Sequence, residues 1–420
     1  MQALETHGWR TALAGSQMLF VAFGALVLMP LITGMDPSVA LFTAGLGTLL
    51  FQFTTQRQVP VFLASSFAFI APIMYSNQTW GLPATLGGLL AAGMVYILLS
   101  LLVHLRGPGF IQRLLPPIVV GPVIMVIGLG LASVAVNMAM GKSGDGATQL
   151  VDYNLAILIA LASLVTTIVV AVFAKGLFRL VPILAGVVVG YGLSWALGIV
   201  DFSQVNEANW LAMPGFVTPE FQLAAILFMI PVAIAPAIEH IGDVLAIGSV
   251  TGKDYIRKPG LQRTLLGDGV ATSAAALLGG PPNTTYSEVT GAVMLTRNFN
   301  PNVMIWAAVF AIGLAFVSKF GAILLSMPVP VMGGILCLLF GSIAVVGINT
   351  LIRHQVDLSQ ARNLCIVSVT LVFGIGGMVI GNQSISLQGI SLCGVVAIVL
   401  NLILPQTSPA AETKPGEEAA

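Results

Sequence analysis

Charge is scarce in this chain: Asp, Glu, Lys and Arg together make up 8% of its 420 residues. A soluble protein carries about 25%, so most of this surface cannot face water. The little charge present is balanced, 16 basic against 16 acidic residues, which argues against a nucleic-acid partner. Cysteine is equally rare. Cys337, Cys365 and Cys393 each lie inside an apolar run, where they read as small buried hydrophobes and not as disulfides, metal ligands or nucleophiles. The 4 histidines sit mostly near the ends of apolar runs and form no metal-site pattern. No G-x-x-x-x-G-K-[ST] loop occurs, so ATP-driven transport has no support. The expectation is a protein without cofactor or metal, and not an enzyme.

What is present is apolar sequence, 57% of the residues, with a mean hydropathy of +0.99. A membrane span needs about 20 mainly apolar residues. Clear candidates are 11–32, 38–54, 84–104, 117–138, 154–174, 180–199, 221–248, 301–323, 328–348, 363–380 and 386–404. Three weaker segments, 61–76, 261–279 and 283–296, are short or interrupted by Pro, Gly or polar residues. The first run, 11–32, is too long for the core of a cleavable signal. Counting all of them predicts fourteen transmembrane segments, with a disordered tail over 405–420. Basic residues test the count. With both termini cytoplasmic, every Lys and Arg except Lys142 and Lys319 falls on the inner side, as the positive-inside rule requires. The expected location is a bacterial inner membrane, the lipid bilayer being the partner of most of the surface.

The two halves of the chain resemble each other. Pro117 and Pro330, Gly121 and Gly334, and Gly128 and Gly341 share one spacing, and the interrupted segments 61–76 and 283–296 have nearly the same one. Seven spans per half make the halves inverted, so the fold class is an all-α polytopic membrane protein built as a seven-plus-seven inverted repeat. Paired, interrupted segments at corresponding positions mark a transporter's binding site. In the second half, Gly279-Gly280-Pro281-Pro282-Asn283-Thr284-Thr285 removes backbone donors and offers competing side chains before a helix restarts near Glu288. In the first, Pro60–Phe69 alternates as a short strand before a half-helix. Each half-helix N-terminus would present free N–H groups to a polar ligand at the midplane.

Four acids lie within the apolar segments: Glu239, Asp243, Asp268 and Glu288. Glu239 and Asp243 are four apart, on one helical face. A carboxylate at membrane depth must be paired or protonated, and marks a substrate or ion site. A structural hydrogen bond between helices is the competing reading, and for Asp268 the expected one. Phe67, Tyr286 and Phe340 fit either a ligand pocket or ordinary packing, and Gln17 either a ligand or helix–helix hydrogen bonding.

Pro282–Glu288, Ala237-Ile238-Glu239-His240-Ile241-Gly242, Ser65-Ser66-Phe67-Ala68-Phe69 and Pro328–Gly334 resemble motifs of the nucleobase–cation symporter-2 (nucleobase–ascorbate transporter) family, and are most similar to its bacterial uracil permeases. The resemblance runs from about Gln17 to Leu404. It implies a core domain of spans 1–4 and 8–11 (11–104 and 221–323) working against a gate domain of spans 5–7 and 12–14 (117–199 and 328–404), the latter a frequent homodimer interface. It implies uracil uptake coupled to proton entry. Glu239 and Glu288 would bind the base edge, and the backbone amides of Phe67 and Ser287 its carbonyls. The Phe67 ring would lie beside the base, and Ala25 and Tyr286 would shape the pocket. Proton coupling would fall to Glu239 and Asp243. Two residues depart from the family pattern: Met18 follows Gln17 where a histidine is usual, and Asp243 replaces a histidine one turn after Glu239. Purine-selective relatives usually carry an amide at position 288. Two alternatives stay open: a purine (xanthine or uric acid) permease of the same family, and an anion exchanger of the same fold.

Overall fold

The computed structural model describes residues 8–107, 109, 113–381 and 386–405; the predicted tail beyond these lies outside the described residues. The first half contains α1 (Gly8–Val21), α2 (Phe23–Thr33), α3 (Pro37–Thr54), β1 (Leu63–Ser65), α4 (Ile70–Trp80), α5 (Leu82–Arg106), α6 (Pro117–Gly130), α7 (Ala132–Ala139), α8 (Tyr153–Phe173) and α9 (Pro182–Ala196). A short helix, α10 (Ser203–Glu207), leads to α11 (Leu223–Met229), α12 (Ile234–Thr251), α13 (Leu261–Leu277), β2 (Asn283–Thr285), α14 (Ser287–Thr296), α15 (Asn302–Ala315) and α16 (Ser318–Leu325). The chain ends with α17 (Val329–Arg353), α18 (Ala361–Ile375), the hairpin β3 (Val379–Gly381) and β4 (Ser386–Gln388), and α19 (Gly389–Ile403).

Local chemistry sets many of these boundaries. Asp36 caps α3, its carboxylate accepting from the Ser38 amide at 2.7 Å with Pro37 at the first helical position. Gly34 closes α2 at φ 72°, where a side chain would be strained. Asp152 caps α8 in the same way as Asp36, at 3.0 Å from the Asn154 amide. α8 shows what the solvent is: Leu158, Leu161, Val165, Val169 and Val172 all point outward, a stripe only lipid can cover.

Among the described residues, seven helical stretches are long and apolar enough to cross a membrane, or eight with one bent pair. The other spans of the fourteen are short or broken: α9, α18 and α19, α13, and the two strand-plus-half-helix segments. Pairs α1–α2, α6–α7 and α11–α12 form single long spans with a break inside each. The run 301–323 is broken within: the chain bends by 83° between α15 and α16. The reason is Lys319, whose ammonium cannot remain in hydrocarbon. It reaches the Val205 carbonyl at 2.7 Å and lies 5.7 Å from the Trp210 ring, on the connection between α9 and α11.

Helices gather in two groups. In one, α3 packs against α13 and α15, α13 against α5, and α15 against α1. In the other, α17 packs against α6, α7 and α8, with α18 and α19 beside α6. Contact between the groups runs through α12, against α6 and α19, and through α2 against α9. This is the seven-plus-seven core-and-gate fold. Close approach depends on small residues: a Cβ on Gly45 would lie 2.6 Å from the Ala308 carbonyl oxygen.

Candidate binding site at the strand crossing

β1 and β2 are three residues each and meet antiparallel, Leu63 opposite Thr285, Ala64 opposite Thr284 and Ser65 opposite Asn283. All six residues are buried. An extended backbone inside a membrane is tolerable only if its polar groups are satisfied by protein, and here they are. The Ser66 amide donates to the Pro282 carbonyl at 2.9 Å. On α3, the Thr48 hydroxyl accepts from the Leu63 amide at 2.9 Å, and the Gln52 amide donates to the Val59 and Val61 carbonyls at 2.9 and 3.0 Å. On α13, the corresponding helix of the second half, the Thr272 hydroxyl donates to the Asn283 carbonyl at 2.8 Å. The Asn283 amide returns to α3, donating to the Thr43 carbonyl at 2.9 Å. Each strand is thus held by the second helix of its own half.

Beyond the strands, a 3-10 turn at Phe67–Phe69 leads into α4, and Tyr286 leads into α14. Neither start carries a side-chain cap. The sequence expectation of two strands followed by two half-helices is met at both places. Phe67 is buried, with its ring 6.4 Å from Tyr286 and 6.1 Å, edge-on, from Phe340 of α17. Tyr286 is buried against α2: a Cβ on Gly24 would lie 3.6 Å from its hydroxyl, next to the fully buried Ala25.

The acids converge on the same place. Glu288 is half-buried in the first turn of α14. Glu239, half-buried on α12, lies within electrostatic reach of Asp243, Glu288 and Asp268. Its Oε2 atom is buried without a hydrogen-bond partner among the described residues, as are the hydroxyls of Ser65 and Ser66. Asp243 is 5% exposed and accepts from the Thr285 hydroxyl at 3.0 Å. Phe67, Ala25, Tyr286, Glu239, Glu288 and the start of α14 at Ser287 therefore surround one region; Gln17 is half-buried in α1.

Sequence reasoning missed the polar lattice behind this region. His240 and Asp268 are fully buried, and Nδ1 lies 3.2 Å from Oδ2. The Thr284 hydroxyl donates to the same Asp268 oxygen at 2.9 Å, while Thr285 Oγ1 lies 3.3 Å from His240 Nδ1. The partners of Asp268 come from two other segments, α12 and β2, and no spacing in the sequence points to them. The available signal was polarity inside apolar runs, at Thr43, Thr48, Gln52 and Thr272.

Broken spans that cross at strand level, with carboxylates beside uncapped helix starts, are the features expected of a membrane transporter's binding site. The family model described as "Permease family" matches residues 10–382, and the chain belongs to that family, the nucleobase–cation symporter-2 family. It is a membrane permease and not an enzyme. A probable uracil permease of Pasteurella multocida is 61% identical over 403 residues, covering 96% of this chain and 95% of that protein. A uracil permease of Bacillus caldolyticus is 47% identical over 403 residues, covering 94% and 92%. Among solved structures, the murine Slc26a9 anion transporter in its inward-facing state has a TM-score of 0.71 at 13% identity, covering 96% of this chain and 69% of that one. At that identity the likeness speaks for the fold alone.

Proposed function

We propose that this permease takes up uracil together with a proton. The observation that carries the reading is the pairing of Glu239 and Glu288 beside the uncapped starts of Phe67–Phe69 and α14. Uracil offers two N–H donors and two carbonyl acceptors. Two carboxylates accept from the first pair, and the amides of Phe67 and Ser287 donate to the second. The Phe67 ring flanks the base, and Ala25 and Tyr286 limit its size. Relatives 61% and 47% identical are named as uracil permeases, probable in the first case, which supports this substrate over a purine. An anion exchanger would favour a neutral or cationic site, and the clustered carboxylates oppose that.

In this reading the residue ranges 11–104 and 221–323 form the core that carries the base, and 117–199 and 328–404 form the gate and homodimer surface. Motion of one against the other exposes the site alternately to the two sides of a bacterial inner membrane, with both termini cytoplasmic. Glu239 and Asp243 share the transported proton: two neighbouring carboxylates with little water do not both ionise freely. Concentrative uptake of radiolabelled uracil, with and without a protonophore and with xanthine as competitor, tests the proposal. Uptake that ignores the protonophore would remove the coupling, and competition by xanthine at equal concentration would remove the pyrimidine preference.

A further inference from the structure

A cavity lies away from the strand crossing, on the face that the distribution of basic residues assigns to the cytoplasm. Its volume is about 450 Å³, and its walls are Arg57, Gln58, Lys253, Asp254, Tyr255, Lys258 and Pro301. These come from three connections: α3 to β1, α12 to α13, and α14 to α15. Three cations face one carboxylate. That carboxylate is already engaged, accepting from the Ile256 and Arg257 amides at 3.1 and 3.2 Å and lying 3.4 Å from the Arg257 guanidinium. Arg57, Lys253 and Lys258 are exposed and have no ion pair among the described residues.

The positive-inside rule explains which side these cations occupy, but two features go beyond it. Tyr255, only 2% exposed, also lines the cavity; its buried hydroxyl lies beside that of Thr251, which itself donates to the Ile247 carbonyl at 2.9 Å. Arg57 is also held in place at a conformational cost. Gln56 and Arg57 both adopt the left-handed region, at φ 55° and 54°, unfavourable for two successive non-glycine residues. The Arg57 amide is fastened to the Gln52 carbonyl at 2.8 Å, and the Gln52 side chain clamps the segment that follows.

We propose that this cavity binds a phosphate-bearing anion at the inner face of the core. Rim cations satisfy a phosphate's charge, and the Tyr255 hydroxyl supplies a neutral donor. The same chemistry is offered by an anionic phospholipid headgroup and by free phosphate or a soluble phosphate ester, and the test separates these sources.

The full-length protein is purified and its thermal unfolding followed in two arms. One titrates inorganic phosphate against chloride at constant ionic strength. The other compares nanodiscs of phosphatidylcholine alone with nanodiscs containing phosphatidylglycerol. The wild type is expected to be stabilised in at least one arm: by phosphatidylglycerol if the source is lipid, by phosphate if it is soluble. The variant R57Q/K253Q/K258Q, altered only at exposed side chains, is expected to lose that response. Tyr255→Phe keeps the cations and is expected to raise the half-saturating concentration of whichever probe acts by about tenfold. The control K175Q/R179Q, which removes cations elsewhere on the same face, is expected to respond as the wild type does. Absence of stabilisation in both arms, or an unchanged response in R57Q/K253Q/K258Q, overturns the proposal.

Discussion

His240 and Asp268 meet at 3.2 Å between α12 and α13, and the two strand threonines beside them, Thr284 and Thr285, bond into the same pair. Two helices and one strand are therefore tied at a single point. The Thr285 hydroxyl also donates to Asp243 at 3.0 Å, so the same point is joined to the acid four residues after Glu239. Through this lattice the position of β2, and with it the start of α14 and Glu288, is set relative to Glu239.

Asp268→Ala is expected to destabilise the protein by about 3–5 kcal/mol, since it strands a buried partner. Asp268→Asn keeps an acceptor for Thr284 and should cost less. Thermal unfolding in detergent measures both. If the alanine variant melts with the wild type, the lattice does not hold the site.

Glu288→Gln removes an acceptor proposed for a uracil N–H and replaces it with an amide. Uracil binding is expected to fall about tenfold or more, with relative gain for purines. Binding isotherms on purified protein check this, and unchanged uracil affinity would detach Glu288 from the substrate.

Asp243→Asn preserves an oxygen for the Thr285 hydroxyl, so the strand should stay in place. Substrate binding and exchange of external for internal uracil are expected to survive, while accumulation driven by a pH gradient drops. Full accumulation would eliminate Asp243 from the proton route. Loss of binding together with folding would show that it serves only as an anchor.

Gly45→Ala places a methyl group 2.6 Å from the Ala308 carbonyl oxygen and 3.2 Å from the Ile312 amide. Backbone cannot yield as a side chain does, so α3 and α15 must separate, at about 1–3 kcal/mol. A lower melting temperature is expected. An unchanged one would mean that the two helices tolerate a wider spacing.

Reading the spans from sequence worked where apolar length alone decides. α8, α5 and α17 were legible to within a few residues, because lipid demands an uninterrupted apolar helix. The strands β1 and β2 were legible for the opposite reason: prolines and hydroxyl side chains stop a helix, and their recurrence in both halves marks a site. The bend at Phe316–Val317 was not legible, since Lys319 is the one charge in 301–323, and only the distant Val205 carbonyl and Trp210 explain where that ammonium goes.

By itself the sequence determined the solvent, the number of segments and the presence of acids at membrane depth, because each follows from composition and local periodicity. The tertiary structure decided which polar groups meet. Asp268 with His240, Thr285 with Asp243, and Gln52 with the Val59 and Val61 carbonyls are contacts between groups that no helical or strand period places together. A buried polar group needs a partner, but the sequence names only the need; the packing of the two halves names the partner.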